Sequence, residues 1–345
     1  MEHVAIDLGG RESQICVMSA EGELVLEDRR PTTSLKKWLG KRPPSRVVVE
    51  SCAEAFGVAE AARALGHEAV VVPASLVRSL GVGSRGLKTD VRDARNLAEA
   101  SCRMRRLPSV HIPSEASRQR KTVCGVREAF VSTRTKLINC LRGWLRTQGA
   151  GPVRSGGAET FPRRFLEHAK ARQLEIPPAI RRVVETIMTI SLQIEAADAE
   201  LEKVASEDPV CRRLMTAPGV GPVTAVRFAA AIDDVSRFGK AAAVQSYFGL
   251  VPGENSSSDR RKVTGITKAG ASHVRWALVQ AAWSARRWRK GDALVQWAQQ
   301  IEERRGRHIA VVALARKLAG VLYAMWREGV DYDPKRGACP VEPTS

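Results

Sequence analysis

The stretch VAIDLGGRESQICV, residues 4–17, decides the fold of the first part of the chain. Its apolar start predicts a short buried strand that ends at Asp7, and the two glycines that follow predict a turn. Residues 14–18 then predict a second strand. Two strands joined by a tight turn place a β-sheet at the very beginning of the chain.

Strands and helices alternate in the sequence that follows. The stretch VVVE at residues 47–50 is apolar enough to form a central strand. The segment of residues 53–65 is predicted to be a helix that ends at Gly66, since glycine is a typical helix stop. The further predicted strands are residues 23–27 and 69–72, and the predicted helices are residues 53–65 and 91–105. Residues 1–115 are therefore expected to form an α/β domain.

The middle of the chain, residues 116–207, is predicted to be helical. Apolar positions in two segments recur at alternating steps of three and four, the spacing of a coiled-coil seam. This pattern fits a long antiparallel hairpin or a dimerising coiled coil, and equally an ordinary amphipathic pair packed on its own domain. The seam positions are Val123, Val126, Phe130, Thr133, Leu137, Cys140 and Trp144, then Ile180, Val183, Ile187, Ile190, Ile194, Ala197, Leu201 and Val204.

The last part of the chain has two predicted segments. Residues 208–330 are expected to form a mainly helical domain with one polar loop. Residues 331–345 are rich in proline and are expected to be disordered.

Charge and cysteine usage limit the class of partner. The chain has 55 Lys and Arg against 37 Asp and Glu, a net charge of +18. Such an excess favours nucleic acid over other polyanions, and no lipid anchor points to a membrane. The seven cysteines form no close pair, which predicts reduced thiols in the cytoplasm rather than a zinc or redox site. No signal peptide and no membrane span is expected.

Four carboxylates stand at positions where they could converge. Asp7 and Glu50 each end a predicted strand, and Asp90 and Asp93 are three residues apart at the start of a predicted helix. Hard divalent cations prefer such oxygen ligands, so Mg²⁺, or alternatively Mn²⁺, is the expected occupant. Each carboxylate alone could equally be a turn, strand-end or cap residue. Their joint order is the layout of RNase H-like and RuvC-like nucleases.

Several segments that carry these residues resemble a known family. VAIDLGGRESQICV, the stretch of residues 47–72, KTDVRDARNLAEA and TRTKLINCLRGWLRTQG look like DEDD transposases of the bacterial one-ten family of insertion sequences. The resemblance implies an RNase H/RuvC-like domain in which Asp7, Glu50, Asp90 and Asp93 are the metal ligands.

The stretch PGVGPVTA, residues 218–225, has the pattern of a helix-hairpin-helix. Gly219 and Gly221 would let the backbone turn tightly and present N–H groups to a phosphate. The alternative is a plain turn between helices.

A run of three serines followed by cations forms the polar loop of the last domain. Taken alone, such a run is typical of a flexible loop. The segment resembles the C-terminal domain of the same family, in which a serine follows the proline of GL-x-P by five, and Pro252 then indicates Ser257. Family members have glycine after this serine whereas this chain has Ser258, so Ser256 and Ser258 stay open as alternatives. The cations expected to contact nucleic acid are Arg260, Arg261, Lys262, Lys268 and Arg275.

Tryptophans interleave with arginines beyond this loop. Trp288 lies among cations and is expected to contact nucleic acid by stacking. Trp276 and Trp283 are seven residues apart and are expected to face the core.

The resemblance covers nearly the whole chain and implies a cut-and-rejoin recombinase. Ser257 would form a transient phosphoserine link to DNA, assisted by Mg²⁺ at the carboxylates. It further implies a structured bridge RNA as guide, a homo-oligomer (dimer or tetramer), and a nucleoid-associated location in the bacterial cytoplasm. Two alternatives remain at this point: a RuvC-like structure-specific endonuclease that attacks with metal-activated water, and an inactive nucleic-acid-binding protein.

Overall fold

A computed structural model of the protein describes residues 1–77, 90–257 and 260–334. The chain divides into two compact units, Met1–Pro113 and Ser114–Ser345. The first is a mixed α/β unit and the second is mostly helical, as the sequence predicted.

The first unit is built on one five-stranded sheet in the order β3-β2-β1-β4-β5. The central strand β1 pairs antiparallel with β2 and parallel with β4, while β3 joins antiparallel and β5 parallel at the two edges. All five predicted strands are confirmed. They are β1 His3–Asp7, β2 Glu12–Met18, β3 Leu24–Pro31, β4 Arg46–Glu50 and β5 Glu68–Val72.

The turn between β1 and β2 depends on one glycine. A Cβ on Gly9 would lie 2.2 Å from the carbonyl oxygen of Glu12, closer than any side chain tolerates. The Thr32 hydroxyl donates to the Gly9 carbonyl oxygen at 2.6 Å and ties this turn to the end of β3. The predicted glycine turn is therefore a close approach of two backbone segments.

Helices cover both faces of the sheet. Val4 and Ile6 pack on the face that contacts α2, whereas Ala5 packs on the face that contacts α4. Alternate residues of a strand point to opposite faces, which explains why three consecutive apolar residues precede Asp7 in β1. The helices are α1 Leu35–Leu39, α2 Ala55–Ala64, α3 Ala74–Val77 and α4 Asp90–Arg103.

The second unit consists of helices and one β-hairpin, β6 Pro252–Ser257 and β7 Arg260–Ile266. The sequence prediction of a loop at Ser256 and Ser257 is wrong for the backbone, because both pair with β7. The sequence PGENSS has little intrinsic strand preference, so the pairing comes from the partner strand. The helices are α5 Glu115–Thr147, α6 Phe161–Ala171, α7 Pro178–Glu207, α8 Pro209–Leu214, α9 Pro222–Ile232, α10 Ala241–Tyr247, α11 Ser272–Trp288, α12 Ala293–Arg305 and α13 Arg307–Glu328.

The two long helices α5 and α7 pack against each other within the chain. Arg120 pairs with Asp208 near one end of the contact, and Arg134 donates to the Ser191 hydroxyl at 3.4 Å further along. As residue numbers increase along α5, the numbers of the contacting residues on α7 decrease, so the two helices are antiparallel. The pair lies within one chain, and both helices also contact α9, which fits the alternative of an amphipathic pair packed on its own domain; the coiled coil stays a prediction.

The predicted seam is correct on α7 and displaced on α5. On α7, the predicted positions Ile187, Ile194, Ala197 and Leu201 are buried. On α5, the predicted positions Val126, Thr133 and Cys140 are exposed, and the contact surface lies about one residue further along. The buried residues of α5 are Ser117, Cys124, Arg134, Ile138, Leu141 and Leu145.

Helix α13 is long and apolar enough to cross a membrane by length and composition, and it is the one helix of the described residues that passes this test. Its residues Leu314, Leu318, Leu322 and Tyr323 are at most 1% exposed. They belong to the main hydrophobic core of the second unit. The helix therefore forms the centre of a folded unit.

The chain stays packed beyond the predicted end of the last domain. The Tyr332 hydroxyl donates to the carboxylate of Asp292 at 2.9 Å, and its backbone N–H donates to the Thr216 hydroxyl. The prediction of disorder is therefore wrong for the first residues of the tail. The rest of that prediction, residues 335–345, lies outside the described residues.

Candidate functional site

The structure places Asp7 and Glu50 side by side at one edge of the sheet. Strands β1 and β4 run parallel, and their last paired residues are Ile6 and Val49. Asp7 and Glu50 are the next residue of each strand. Two carboxylates thus lie at the carboxyl ends of neighbouring parallel strands, where open α/β sheets bind ligands.

Both carboxylates belong to the face of the sheet that α4 covers. Asp7 is two residues after Ala5, and Glu50 is two residues after Val48, and those two residues pack in one cluster with α4. Because strand side chains alternate with a period of two, Asp7 and Glu50 share that face. Asp90 and Asp93 lie in the first turn of α4. All four predicted ligands are therefore on the same side of the sheet.

Polar contacts hold α4 at a defined angle across the sheet. Arg95 donates two hydrogen bonds to the carboxylate of Glu27 on β3, at 2.9 and 2.8 Å. At the other end of the helix, the guanidinium of Arg46 donates to the carbonyl oxygens of Met104 and Arg105, at 3.1 and 3.3 Å. These contacts join β3 and β4 to α4, so the position of its first turn is determined by the sheet.

The residues that the structure describes contain no group of three or more His, Cys, Asp or Glu side chains close enough to hold a metal ion. The four carboxylates thus share a face and an edge without forming a closed ligand set. By donor chemistry they fit a hard divalent cation, since all are carboxylates. The metal site stays a prediction, as does the role of each of its residues.

The predicted helix-hairpin-helix is formed by α8, a turn and α9. Gly219 has a φ of +75°, and a Cβ there would lie 2.1 Å from the carbonyl oxygen of Ala281 on α11. Gly219 is thus required for close packing of the turn on α11. Gly221 is the N-cap of α9 and has open space beside it. Phosphate binding stays a prediction, and Gly221 is the better placed of the two glycines.

Ser257 is the last described residue of β6, and its backbone pairs with that of Arg260 on β7. Ser256 pairs with Arg261 in the same way. The register places the candidate serines opposite the basic run on the partner strand. The side chains of residues 254–264 lie outside the described part of the structure, and so does the whole of Ser258.

The two remaining cations of this region differ in role. Lys268 is exposed, with a φ of +56°, in the turn that follows β7. Arg275 is half-buried, and its guanidinium donates to the carbonyl oxygens of Phe248 and Ala269 at 3.0 and 2.9 Å. Arg275 therefore ties the base of the hairpin to α11, a structural role that sequence reasoning did not foresee.

The three tryptophans of α11 differ in exposure, and the first of them contradicts the sequence prediction. Trp276 is 51% exposed, so its prediction as a core residue is wrong. Trp283 packs at the edge of the core with Arg307 5.5 Å from its ring centre. Trp288 is 71% exposed, and the guanidinium of Arg287 lies 4.8 Å from its ring centre. The C-terminal end of α11 thus presents an aromatic ring beside a cation to solvent.

An ion pair between α5 and α9 with a buried arginine was missed by sequence reasoning. The guanidinium of Arg227 on α9 donates to the carboxylate of Glu128 on α5. Arg227 is only 5% exposed. This hydrogen bond holds the pKa of Glu128 below its usual value. A single arginine in the apolar stretch AVRFAAAI was the available signal, because a charge inside an apolar helix requires a partner.

Two family profiles match the chain, one in each part. A profile described as a transposase of the DEDD type from the IS110 group matches residues 4–148. A profile described as "Transposase IS116/IS110/IS902 family" matches residues 211–297. The first match spans all four carboxylates, and the second spans the β-hairpin and the whole of α11.

Full-length relatives agree with these matches. The chain is 26% identical to a "probable family 20 transposase" of Pseudomonas aeruginosa, over 97% of this chain and 99% of that protein. It is 27% identical to the transposase for insertion sequence element IS1328 of Yersinia enterocolitica, over 94% and 97%. It is 27% identical to the transposase for IS1111A of Coxiella burnetii, over 93% and 88%. The chain belongs to the IS110/IS116/IS902 family of transposases.

Proposed function

We propose that this protein is the transposase of an insertion sequence and that it cuts and rejoins DNA through a phosphoserine intermediate at Ser257. The observation that carries the proposal is the pair of family matches, one over the four carboxylates and one over the serine hairpin. A net charge of +18 is consistent with DNA as the substrate.

The first unit is proposed to be an RNase H/RuvC-like domain. The sheet order β3-β2-β1-β4-β5, with antiparallel pairing on one side of β1 and parallel pairing on the other, supports this assignment. The positions of Asp7 and Glu50 at adjacent strand ends, facing the first turn of α4, support it further. Asp7, Glu50, Asp90 and Asp93 would hold the ion.

The proposed chemistry is a transesterification. Ser257 Oγ forms a bond to a backbone phosphorus while the bond from that phosphorus to the departing strand breaks, and the departing oxygen gains the proton that the serine loses. Attack by a strand hydroxyl on the phosphoserine reverses the exchange and rejoins DNA. A bound Mg²⁺ or Mn²⁺ ion would supply charge stabilisation for the phosphate and the departing oxygen. The two sets of residues would meet on DNA in a homo-oligomer.

The basic residues of the second unit would hold the nucleic acids. Three of them lie on strand β7 of the serine hairpin, namely Arg260, Arg261 and Lys262, and Lys268 follows this strand. Trp288 offers an exposed ring for stacking. Sequence choice would come from base pairing with a structured guide RNA, in the bacterial cytoplasm on the nucleoid. The protein would then contact both nucleic acids through shape and phosphates.

The test is strand cleavage by Ser257→Ala beside Ser256→Ala and Ser258→Ala. A cleavage substrate labelled at one end is run on a denaturing gel, where a protein–DNA adduct migrates slowly. We expect only Ser257→Ala to abolish both the adduct and the cleavage. Retained cleavage without an adduct would instead favour a RuvC-like endonuclease that attacks with water.

The role of the carboxylates is tested with Asp7→Asn. We expect loss of cleavage by about a hundredfold or more in the presence of Mg²⁺, with DNA binding retained, since asparagine has the same shape as aspartate and lacks only its charge. Full recombination by Asp7→Asn would contradict the proposed metal site.

The guide RNA is tested by ribonuclease treatment of the protein. We expect loss of activity after the treatment and its recovery when element-derived RNA is added.

A further inference from the structure

A cavity of about 580 Å³ lies in the second unit, among residues of α5, α9 and the start of α11. Its size is within the range of small-molecule binding sites. Small residues form much of its wall, namely Gly125 and Ala129 of α5 and Ala230 and Ala231 of α9. Because these side chains are short and apolar, they leave smooth surfaces that suit a flat ring.

The guanidinium group in the wall is held by the fold itself. The Arg227 guanidinium donates to Glu128, and its Nη1 lies 3.4 Å from the carbonyl oxygen of His273. Its Nε atom is buried and has no hydrogen-bond partner among the described residues. That atom is sealed from the cavity, so an occupant cannot reach it, and the donor available to an incoming acceptor is the ammonium group of Lys121, which also lines the cavity.

The cavity wall carries both donors and acceptors. Glu128 already neutralises Arg227, and its other oxygen, Oε1, lies 3.9 Å from Nδ1 of the exposed His273. Lys121 offers hydrogen-bond donors to an occupant, and the Glu128 carboxylate offers acceptors. A planar heterocycle with both acceptors and donors on its edge satisfies both groups.

An exposed aromatic ring stands beside the ion pair. The Arg227 guanidinium lies 5.8 Å from the ring centre of Trp276, which is 51% exposed and comes three residues after His273 in α11. Large exposed aromatic rings beside cations are typical stacking platforms for the bases of single-stranded nucleic acid. The same helix begins six residues after the serine hairpin ends.

We infer that this cavity binds one unpaired nucleobase of a DNA or RNA strand. The base enters between α5 and α9, accepts a hydrogen bond from Lys121, and donates to Glu128, while Trp276 stacks with a neighbouring base. A base inside a duplex cannot enter, so the site selects a flipped or single-stranded nucleotide. The inference rests on the proposed function, since it requires a nucleic-acid strand on this unit.

The test fills the cavity without removing a polar group. Gly125 lies in a helix, is exposed, and has nothing within 4 Å of an added Cβ. Gly125→Leu therefore occupies the cavity and also favours the helix. Gly143→Leu is the matched control, because Gly143 is in the same helix, is not in the cavity wall, and has only Arg146 at 4.0 Å. Ser132→Leu is a second, independent filling variant.

The readout is the affinity of the full-length protein for fluorescent twelve-nucleotide strands. Four DNA and four RNA homopolymers are compared with an abasic strand of equal length and charge. We expect Gly125→Leu and Ser132→Leu to weaken binding of at least one base-containing strand about tenfold, the scale of one stacked base. Binding of the abasic strand should not change, and Gly143→Leu should behave as wild type. The DNA and RNA arms identify which strand supplies the base.

Two results would overturn the inference in different ways. If both filling variants bind every base-containing strand as wild type does, or weaken the abasic strand equally, no base enters the cavity and the proposed function still stands. If wild-type protein binds none of the strands or longer DNA, the base site and the proposed function both fail. Circular dichroism melting of each variant confirms that the fold is retained.

Discussion

Helices α5 and α7 show the same three-and-four apolar spacing, yet only α7 buries the residues that this spacing selects. Helix α7 packs mainly on α5 through an aliphatic face that includes Ile187 and Leu201. Helix α5 meets different partners along its length: its first half contacts α9, and Trp144 near its end packs on Phe165 of α6. Helix α7 also contacts α6, α8 and α9, so the number of partners does not distinguish the two helices, and the difference lies in which residues form each buried face.

The composition of the two buried faces explains the one-residue displacement. The buried face of α5 includes Arg134, whose side chain is 9% exposed and pairs with Glu159 at 3.2 Å. A prediction based on apolar spacing passes over an arginine. It therefore selects Thr133, next to Arg134, and Val126, two turns earlier, as seam positions. The stem of Arg134 packs like an aliphatic side chain while its head is paired.

The largest effect is expected from Ile187→Ala on α7. Ile187 is 0% exposed, and removing its side chain leaves a cavity between the helices. We expect the free energy of unfolding to fall by about 3 kcal/mol. Denaturant unfolding measures this loss. The control is Ile190→Ala, at a predicted seam position that is only half-buried, which should cost clearly less. Equal losses would mean that both lie in the seam.

An intermediate effect is expected at Arg134 on α5. Arg134→Ala removes the buried stem and should lower the free energy of unfolding by about 2 kcal/mol. Arg134→Met keeps the stem, and it leaves Glu159 solvated because that side chain is 60% exposed. The methionine variant should therefore stay within about 1 kcal/mol of wild type. If the two variants lose equal stability, the charge and not the stem maintains the contact.

The smallest effect is expected from Val126→Asp on α5. Val126 was predicted in the seam and is 48% exposed, so the change should alter the free energy of unfolding by less than about 0.5 kcal/mol. The same variant sharpens the remaining coiled-coil hypothesis. Sedimentation of wild type and variant should give the same oligomeric state. A dimer lost only in the variant would show that this second stripe is the contact between copies.

The first unit was more predictable than the second for a physical reason. Asp7 and Glu50 each end a strand directly after three apolar residues, so the pattern indicates both the element and its end. Strand pairing then places the two carboxylates together without further information. In the second unit, the strand at Pro252–Ser257 has no such pattern. Its conformation depends on pairing with β7, which the local sequence does not indicate.

Burial in the second unit could not be inferred from residue type. Trp276 was expected in the core and is exposed, while Arg227 on α9 is almost fully buried beside it. Arg275 was expected to contact nucleic acid, yet it donates to two backbone carbonyl groups. In each case the outcome depends on which helix lies opposite, and sequence spacing within one helix carries no such information.

The sequence by itself determined the five strands of the first unit, the excess of positive charge, the four carboxylates at element ends and the family. These follow from local patterns and residue types, which are read within one segment. Only the tertiary structure decided that Asp7 and Glu50 share the face covered by α4, and that Gly219 serves the packing of α11. It alone also revealed the cavity beside Arg227. Those features arise from segments far apart in the chain, and their free energies depend on contacts that exist only after folding.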